Sequence, residues 1–176
     1  MTDDIYDPTY VAALFDRCSL RYQRWSAVSS FGFVWLWRRQ CVDRLRGQSQ
    51  IARIQNGQVT KHANKSPQVV DLMAGTGEIW PHIFDAFPRA QITAIDISAA
   101  VHKKAVTRLQ QTRSRQVAHL NANALETDLP ATSTDMVVAT FGLKTFNADQ
   151  QTVLARQIAR ILHSPRGRLL FLDRDV

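Results

Sequence analysis

An open α/β sheet of parallel strands, with helices on both faces, is the architecture this sequence predicts, and three observations predict it. After residue 67, short apolar runs alternate with amphipathic stretches of helical period. The run Val69-Val70-Asp71-Leu72-Met73-Ala74-Gly75-Thr76-Gly77-Glu78 reads as a buried strand entering a glycine turn and then a helix. The next apolar run, Ile92-Thr93-Ala94-Ile95-Asp96-Ile97, carries an acid near its end. A tight turn followed by a carboxylate at the tip of the neighbouring strand is how such sheets hold an adenosine.

The elements follow in order. Residues 1–53 read as helical. Pro8 opens a segment in which Val11, Leu14 and Phe15 share one helix face, and a second segment runs from about Ser29 to Leu45. The second segment interleaves Phe31, Phe33, Val34, Trp35, Leu36 and Trp37 with Arg38, Arg39, Arg44 and Arg46. Residues 54–67 form a polar loop containing Gly57 and ending at Pro67. Strands are expected near 68–73, 91–97, 116–121, 135–141 and 167–173. The helix over 98–112 has Ser98 as its N-cap, with Val101, Ala105 and Leu109 stacked along it. The helix over 148–163 starts at Asn147, with Gln150 placed to complete a capping box. Its buried stripe is Val153, Leu154, Ile158, Ile161 and Leu162.

Ligands of such sheets bind beyond the carboxyl ends of the strands. Asp71, the glycine turn, Asp96, Asn123 and Thr140 all fall at such ends. Gly75 and Gly77 remove Cβ atoms that would block a close approach. Asp96 offers acceptors only, which suits a ribose diol. A dinucleotide turn would need a third glycine where Trp80 stands, and the lysine of a triphosphate loop is absent. A nucleoside with a small tail fits better, and S-adenosyl-L-methionine is such a molecule.

Composition bounds the rest. A chain of 176 residues makes one domain with a sizeable core. The net charge of +7 suggests attraction to anionic surfaces, or simply a solvated basic face. Cys18 and Cys41 lack metal-ligand spacing and suit a reducing compartment, and the five histidines share no ligand pattern, so no metal is expected. The acidic start lacks the basic region of a secretory signal. The longest apolar run is far short of the roughly 20 residues that a membrane span needs. A cytoplasmic location is the expectation, with peripheral contact at the inner face of a membrane as an extension of it.

On these residues the chain resembles the class I S-adenosylmethionine-dependent methyltransferases, and within them the ubiquinone/menaquinone biosynthesis C-methyltransferase family. The matching segments are Asp71 to Gly77, Asp96, Asn123-Ala124 with Leu129-Pro130, Thr140-Phe141-Gly142-Leu143 and Gly167-Arg168-Leu169-Leu170. Tyr22, Ser30-Phe31-Gly32 and Trp37-Arg38-Arg39 resemble that family's lid. The resemblance implies a Rossmann-like doubly wound sheet with a helical lid over residues 1–53 and a cofactor-binding core over 68–176. It implies that Thr76 and the Gly75–Gly77 backbone face the methionine carboxylate, that Asp71 lies near the methionine amino group, and that Ala74 also belongs to the cofactor site. Asp96 and Ile97 would meet the ribose, Asn123 and Ala124 the adenine, and Thr140 the methionine portion. The acceptor would be a small aromatic or quinol-type molecule methylated at carbon. Lys144, where the family commonly has arginine, is the positional candidate for a catalytic role beside developing phenolate charge.

Two other readings compete. A nucleic-acid methyltransferase would explain the positive charge. However, Thr140-Phe141-Gly142-Leu143 replaces the base-gripping Asn/Asp-Pro-Pro-aromatic loop of the amino-group methylases. A non-catalytic cofactor-binding scaffold is the other, because the sequence stops just after the fifth strand, before the antiparallel strand pair that the superfamily adds. The apolar edge of that strand is then expected to need a cover, such as a second copy in a homodimer. The aromatic–arginine segment reads either as a lid packed on the sheet, the preferred reading, or as a membrane-contacting surface.

Overall fold

The computed structural model describes residues 5–18, 35–44, 66–112, 114–163 and 167–172. Five parallel strands form one sheet: β1 (Gln68–Leu72), β2 (Gln91–Asp96), β3 (Val117–Asn121), β4 (Met136–Thr140) and β5 (Arg168–Leu172). Their order is β3-β2-β1-β4-β5. The chain winds outward from β1 to one edge, then returns to start β4 on β1's other side. A crevice opens where the order reverses, between β1 and β4.

Parallel pairing explains the burial. Central strands covered on both faces read as continuous apolar runs. All five residues of β4 but Thr140 are buried, and β1 is buried from Val69 to Leu72. Val69, Ile92, Ala94, Met136 and Val138 face one helical layer, built from α2 (residues 35–44), α3 (Trp80–Ala86) and α4 (Ala99–Gln111). Val70, Leu72, Ile95, Val137 and Ala139 face the other, built on α5 (Ala148–Ile161) through Leu154, Ile158 and Ile161. The two edge strands alternate instead, and Leu120 on β3 and Leu169 and Phe171 on β5 are exposed.

The expected caps are present. Ser98 Oγ accepts the Val101 N–H at 3.1 Å. Asn147 and Gln150 form the reciprocal box that starts α5. Substituting either cap by alanine is expected to cost about 1 kcal/mol.

The first helix, α1 (Pro8–Cys18), lies across the carboxyl edge of the sheet. Its start is held at the head of α5, where Gln150 Nε2 donates to Tyr6 O at 2.8 Å. Its last turn is held at the head of α4, where Asp16 accepts from Ser98 Oγ and from the Ala100 N–H at 3.0 Å. The hydroxyl and amide bonds hold the Asp16 carboxyl below the usual carboxylate range. Of the three residues expected on the buried face of α1, Val11 and Phe15 are partly buried and Leu14 is exposed. Most of the polar loop over 54–67, and Tyr22, Ser30, Phe31 and Gly32 of the lid motif, lie outside the described residues.

Candidate cofactor site

Asp71 is the deepest member of the site. It is the penultimate residue of β1, is 1% exposed, and one of its oxygens, Oδ2, accepts the indole N–H of Trp80 at 2.9 Å. Its other oxygen, Oδ1, is buried with no hydrogen-bond partner among the described residues. Burial dominates its ionisation and, with the nearby Glu78 and Asp96, pushes its pKa up to about 7, against the pull of Trp80 and Arg38.

A buried strand-end acid requires a partner, and the structure supplies one that sequence reading did not name. That partner is Trp80, whose bulk in the sequence argues only against a dinucleotide. It lies beneath the glycine loop, 4% exposed, with its ring against Gly77 and its N–H on Asp71.

The two glycines serve different ends. A Cβ on Gly77 would fall 2.2 Å from the Trp80 ring, and its φ is +83°. A Cβ on Gly75 would meet only a Glu78 oxygen at 3.5 Å, so there the requirement is the φ of +60° and an open approach. Both N–H groups are engaged inside the protein, Gly75 to Asp96 Oδ2 at 2.8 Å and Gly77 to Ala74 O at 3.2 Å. Thr76, between them, is buried, and its hydroxyl donates to Glu78.

Asp96 ends β2 beside this loop. Each of its oxygens accepts one N–H, Oδ1 from Ser98 at 3.0 Å and Oδ2 from Gly75. A carboxylate has about four acceptor positions, so about two remain for hydroxyls. Burial raises its pKa, opposed by the Ser98 and Gly75 amides. Ile97 follows it, partly buried. Beyond β3, Asn123 Oδ1 caps a 3-10 turn by accepting the Leu125 N–H at 3.0 Å, and its Nδ2 takes no part in that cap. Ala124 is buried beneath it.

Beyond β4, Thr140 is partly buried, and Lys144 stands exposed on the 3-10 turn Leu143–Thr145. The two switch-point loops interlock. Met73 and Phe141, directly after β1 and β4, both carry positive φ (52° and 62°), and a Cβ on Gly142 would fall 2.6 Å from Met73. Non-glycine residues hold such angles only where surrounding structure imposes them, commonly at sites.

The α2 helix brings a further residue to the crevice. Arg38 of α2 holds its guanidinium 5.1 Å from the Phe141 ring centre, and its charge reaches Asp71. Val42, one turn on, is 1% exposed and anchors α2 in the core. Where it is described, the aromatic–arginine segment is anchored through Val42, while Trp35 and Leu36 stay exposed.

Asp71 gives a stability prediction. Its unfolded carboxyl titrates near about 3.9, and its folded value is about 7. The folded protein holds this proton more tightly, so the contribution is complete below about pH 4 and is lost as pH rises through 7. Asp71→Asn is expected to have the higher urea midpoint at pH 8, with the gap shrinking towards pH 4. A gap that does not change with pH would contradict the assignment.

The site's residues fit an adenosyl ligand with a cationic tail. Asp71 Oδ1 has no hydrogen-bond partner among the described residues, Asp96 keeps acceptor capacity, and Gly75 leaves room above the loop. Comparison with known proteins agrees in family and fold. The sequence pattern of the ubiE/COQ5 methyltransferase family matches residues 4–175. The ubiquinone/menaquinone biosynthesis C-methyltransferase of Syntrophotalea carbinolica is 29% identical over 160 residues, covering 91% of this chain and 59% of that one. The demethylmenaquinone methyltransferase of Thermus thermophilus is 28% identical over 161 residues, covering 91% and 64%. The chain thus spans less than two thirds of either relative's length. Among solved structures, a SAM-dependent methyltransferase from Aquifex aeolicus superposes with a TM-score of 0.55 at 18% identity, covering 67% of this chain and 65% of that one. Geranyl diphosphate C-methyltransferase from Streptomyces coelicolor superposes with a TM-score of 0.54 at 16% identity, covering 70% and 46%. At those identities the likeness concerns the fold, a Rossmann-like α/β sheet.

Proposed function

This chain belongs to the ubiE/COQ5 methyltransferase family, and from that premise we propose that it transfers a methyl group from S-adenosyl-L-methionine to a ring carbon of a small aromatic or quinol-type acceptor. The observation that carries this reading is the pair of acids flanking the glycine loop. Burial raises both Asp71 and Asp96 above the ordinary carboxylate range. A ligand bearing positive charge and a diol relieves both.

When bound, the cofactor supplies an electrophilic methyl on a positively charged sulfur. The chain's own residues bind, orient and exclude water. Asp96 accepts the ribose hydroxyls, with Ile97 beside it. Asp71 balances the methionine ammonium, and binding of that cation lowers the pKa that burial had raised. Ala74, Gly75, Thr76 and Gly77 border the methionine carboxylate. Asn123 Nδ2 donates to the adenine edge over Ala124. Thr140 borders the methionine portion. Lys144 offers an ammonium to developing phenolate charge. The α1 and α2 helices act as the lid, with Arg38 over the crevice.

Calorimetric titration with S-adenosyl-L-methionine, followed by an assay of methyl transfer to a demethylated quinol, tests this. Binding with transfer is the expected result. Binding without transfer favours the scaffold reading, and transfer to DNA or RNA alone would favour the nucleic-acid reading. No binding removes the proposal.

Two partner proposals accompany it. Trp35 (56% exposed) and Leu36 (38%) lie on α2 with Arg39 beside Trp35, which supports peripheral contact at the inner face of a membrane. Liposome flotation with anionic lipid is expected to recover the protein, and recovery independent of lipid charge would count against this. Among the described residues no helix is long and apolar enough to cross a membrane. Leu169 and Phe171 stand exposed on β5, consistent with cover by a second copy.

A further inference from the structure

Three side chains not used above grip the cofactor loop from the α4 and β3 side. His119 on β3 is 7% exposed, and its Nε2 lies 3.1 Å from Gly75 O. Its Nδ1 lies 3.0 Å from His102 Nδ1 on α4. Arg108, also on α4, donates from Nη1 to Thr76 O at 2.9 Å. Two successive loop carbonyls are therefore drawn towards α4 and β3.

The contacts dictate where the protons sit. A carbonyl oxygen only accepts, so His119 Nε2 must carry hydrogen. A neutral imidazole has one N–H, so His119 Nδ1 accepts, and His102 Nδ1 must donate to it. His102 can take a second proton on its outer nitrogen without disturbing either contact. His119 cannot, since two N–H groups would then meet at 3.0 Å. Burial, the largest influence, holds His119 below the ordinary histidine range. Of the charged groups facing it, Asp96 from β2 favours the cation and His102 from α4 opposes it. The Trp80 ring of α3 meets it edge-on at 6.2 Å and carries no charge. His119 is thus a neutral donor with one tautomer, held in it by His102.

A planar trans peptide points its N–H opposite its C=O. Fixing the Gly75 carbonyl towards His119 fixes the Thr76 N–H to point away from β3. We propose that His119, locked by His102, is a positioning residue that presets the Thr76 amide for the carboxylate of the cofactor's methionine tail. This rests on the cofactor reading above.

The test uses the full chain, with S-adenosylhomocysteine and plain adenosine as calorimetric probes. His119→Leu is expected to weaken S-adenosylhomocysteine about tenfold while leaving adenosine, which has no methionine tail, unchanged. His119→Gln, whose terminal amide can donate to the same carbonyl, is expected to bind nearly as the parent does. His102→Leu is expected to weaken the tailed probe only a few-fold. In the unliganded parent, long-range proton–nitrogen NMR shifts should report His119 protonated on Nε2 and His102 on Nδ1. His119 protonated on Nδ1 would overturn the proposal whatever the probes do. Equal losses for both probes would also overturn it, because they signal general damage. If the parent binds S-adenosylhomocysteine and His119→Leu binds it equally well, this inference alone falls. If the parent binds neither probe, the cofactor reading falls and takes this one with it.

Discussion

Gly77→Ala is expected to be among the most damaging single-methyl additions this chain can take. The new Cβ would fall 2.2 Å from the Trp80 ring, which is itself 4% exposed and has nowhere to retreat. Three costs combine. Alanine at a φ of +83° is strained, at about 1 kcal/mol. Overpacking a filled interior costs about 1–3 kcal/mol. Any shift of the indole that eases the overlap also weakens its hydrogen bond to the buried Asp71 oxygen, a loss of about 1–3 kcal/mol if complete. Together these approach the lower end of a domain's whole stability, about 5 kcal/mol. Gly75→Ala is the control. It has a φ of +60° but meets nothing closer than 3.5 Å, so it should lose only about 1 kcal/mol. Urea denaturation compares the two. Equal losses would mean that the ring does not support the loop.

Asp96→Ala is expected to weaken S-adenosyl-L-methionine binding by at least roughly 100-fold. Hydrogen bonds to a charged acceptor contribute about 1.5–3 kcal/mol each, and a ribose diol makes two. The same change strips the Gly75 and Ser98 amides of their acceptor, so some loop order is lost as well. Asp96→Asn separates these effects. It keeps the shape and an acceptor oxygen but loses the charge, and it should fall between parent and alanine in calorimetry. If the alanine protein binds the nucleoside as tightly as the parent, the carboxylate does not hold the ribose.

Much of the candidate site's placement was legible in the sequence because strand geometry is local. Once β1, β2 and β4 are recognised as apolar runs, their carboxyl ends are known, and Asp71, Asp96 and Thr140 fall there without further information. The caps were legible for the same reason. Ser98 with Val101, and Asn147 with Gln150, each interact within one turn of helix. The glycine turn was legible as a turn, but not the separate reasons for its two glycines. Gly77 answers to Trp80, whereas Gly75 answers to its own backbone angle.

What stayed hidden involves partners that no local rule connects. Trp80 serves Asp71 across a loop. His119 serves Gly75 from two strands away, and His102 aligns His119 from the helix between them. Arg38 reaches the crevice only because Val42 buries α2 against the sheet. Hydrogen-bonding capacity is written in each residue type, but direction is not, since it depends on which strands become neighbours.

The sequence by itself determined the alternation of strands and helices, their caps, and the acids and glycines that mark one end of the sheet, because period, capping and turn chemistry act within a few residues. Only the tertiary structure decided the strand order that opens the crevice between β1 and β4, the indole beneath the loop, and the histidine pair that sets its carbonyls. Those features arise when surfaces far apart in the chain are buried together, and burial makes each polar atom's choice of partner energetically decisive.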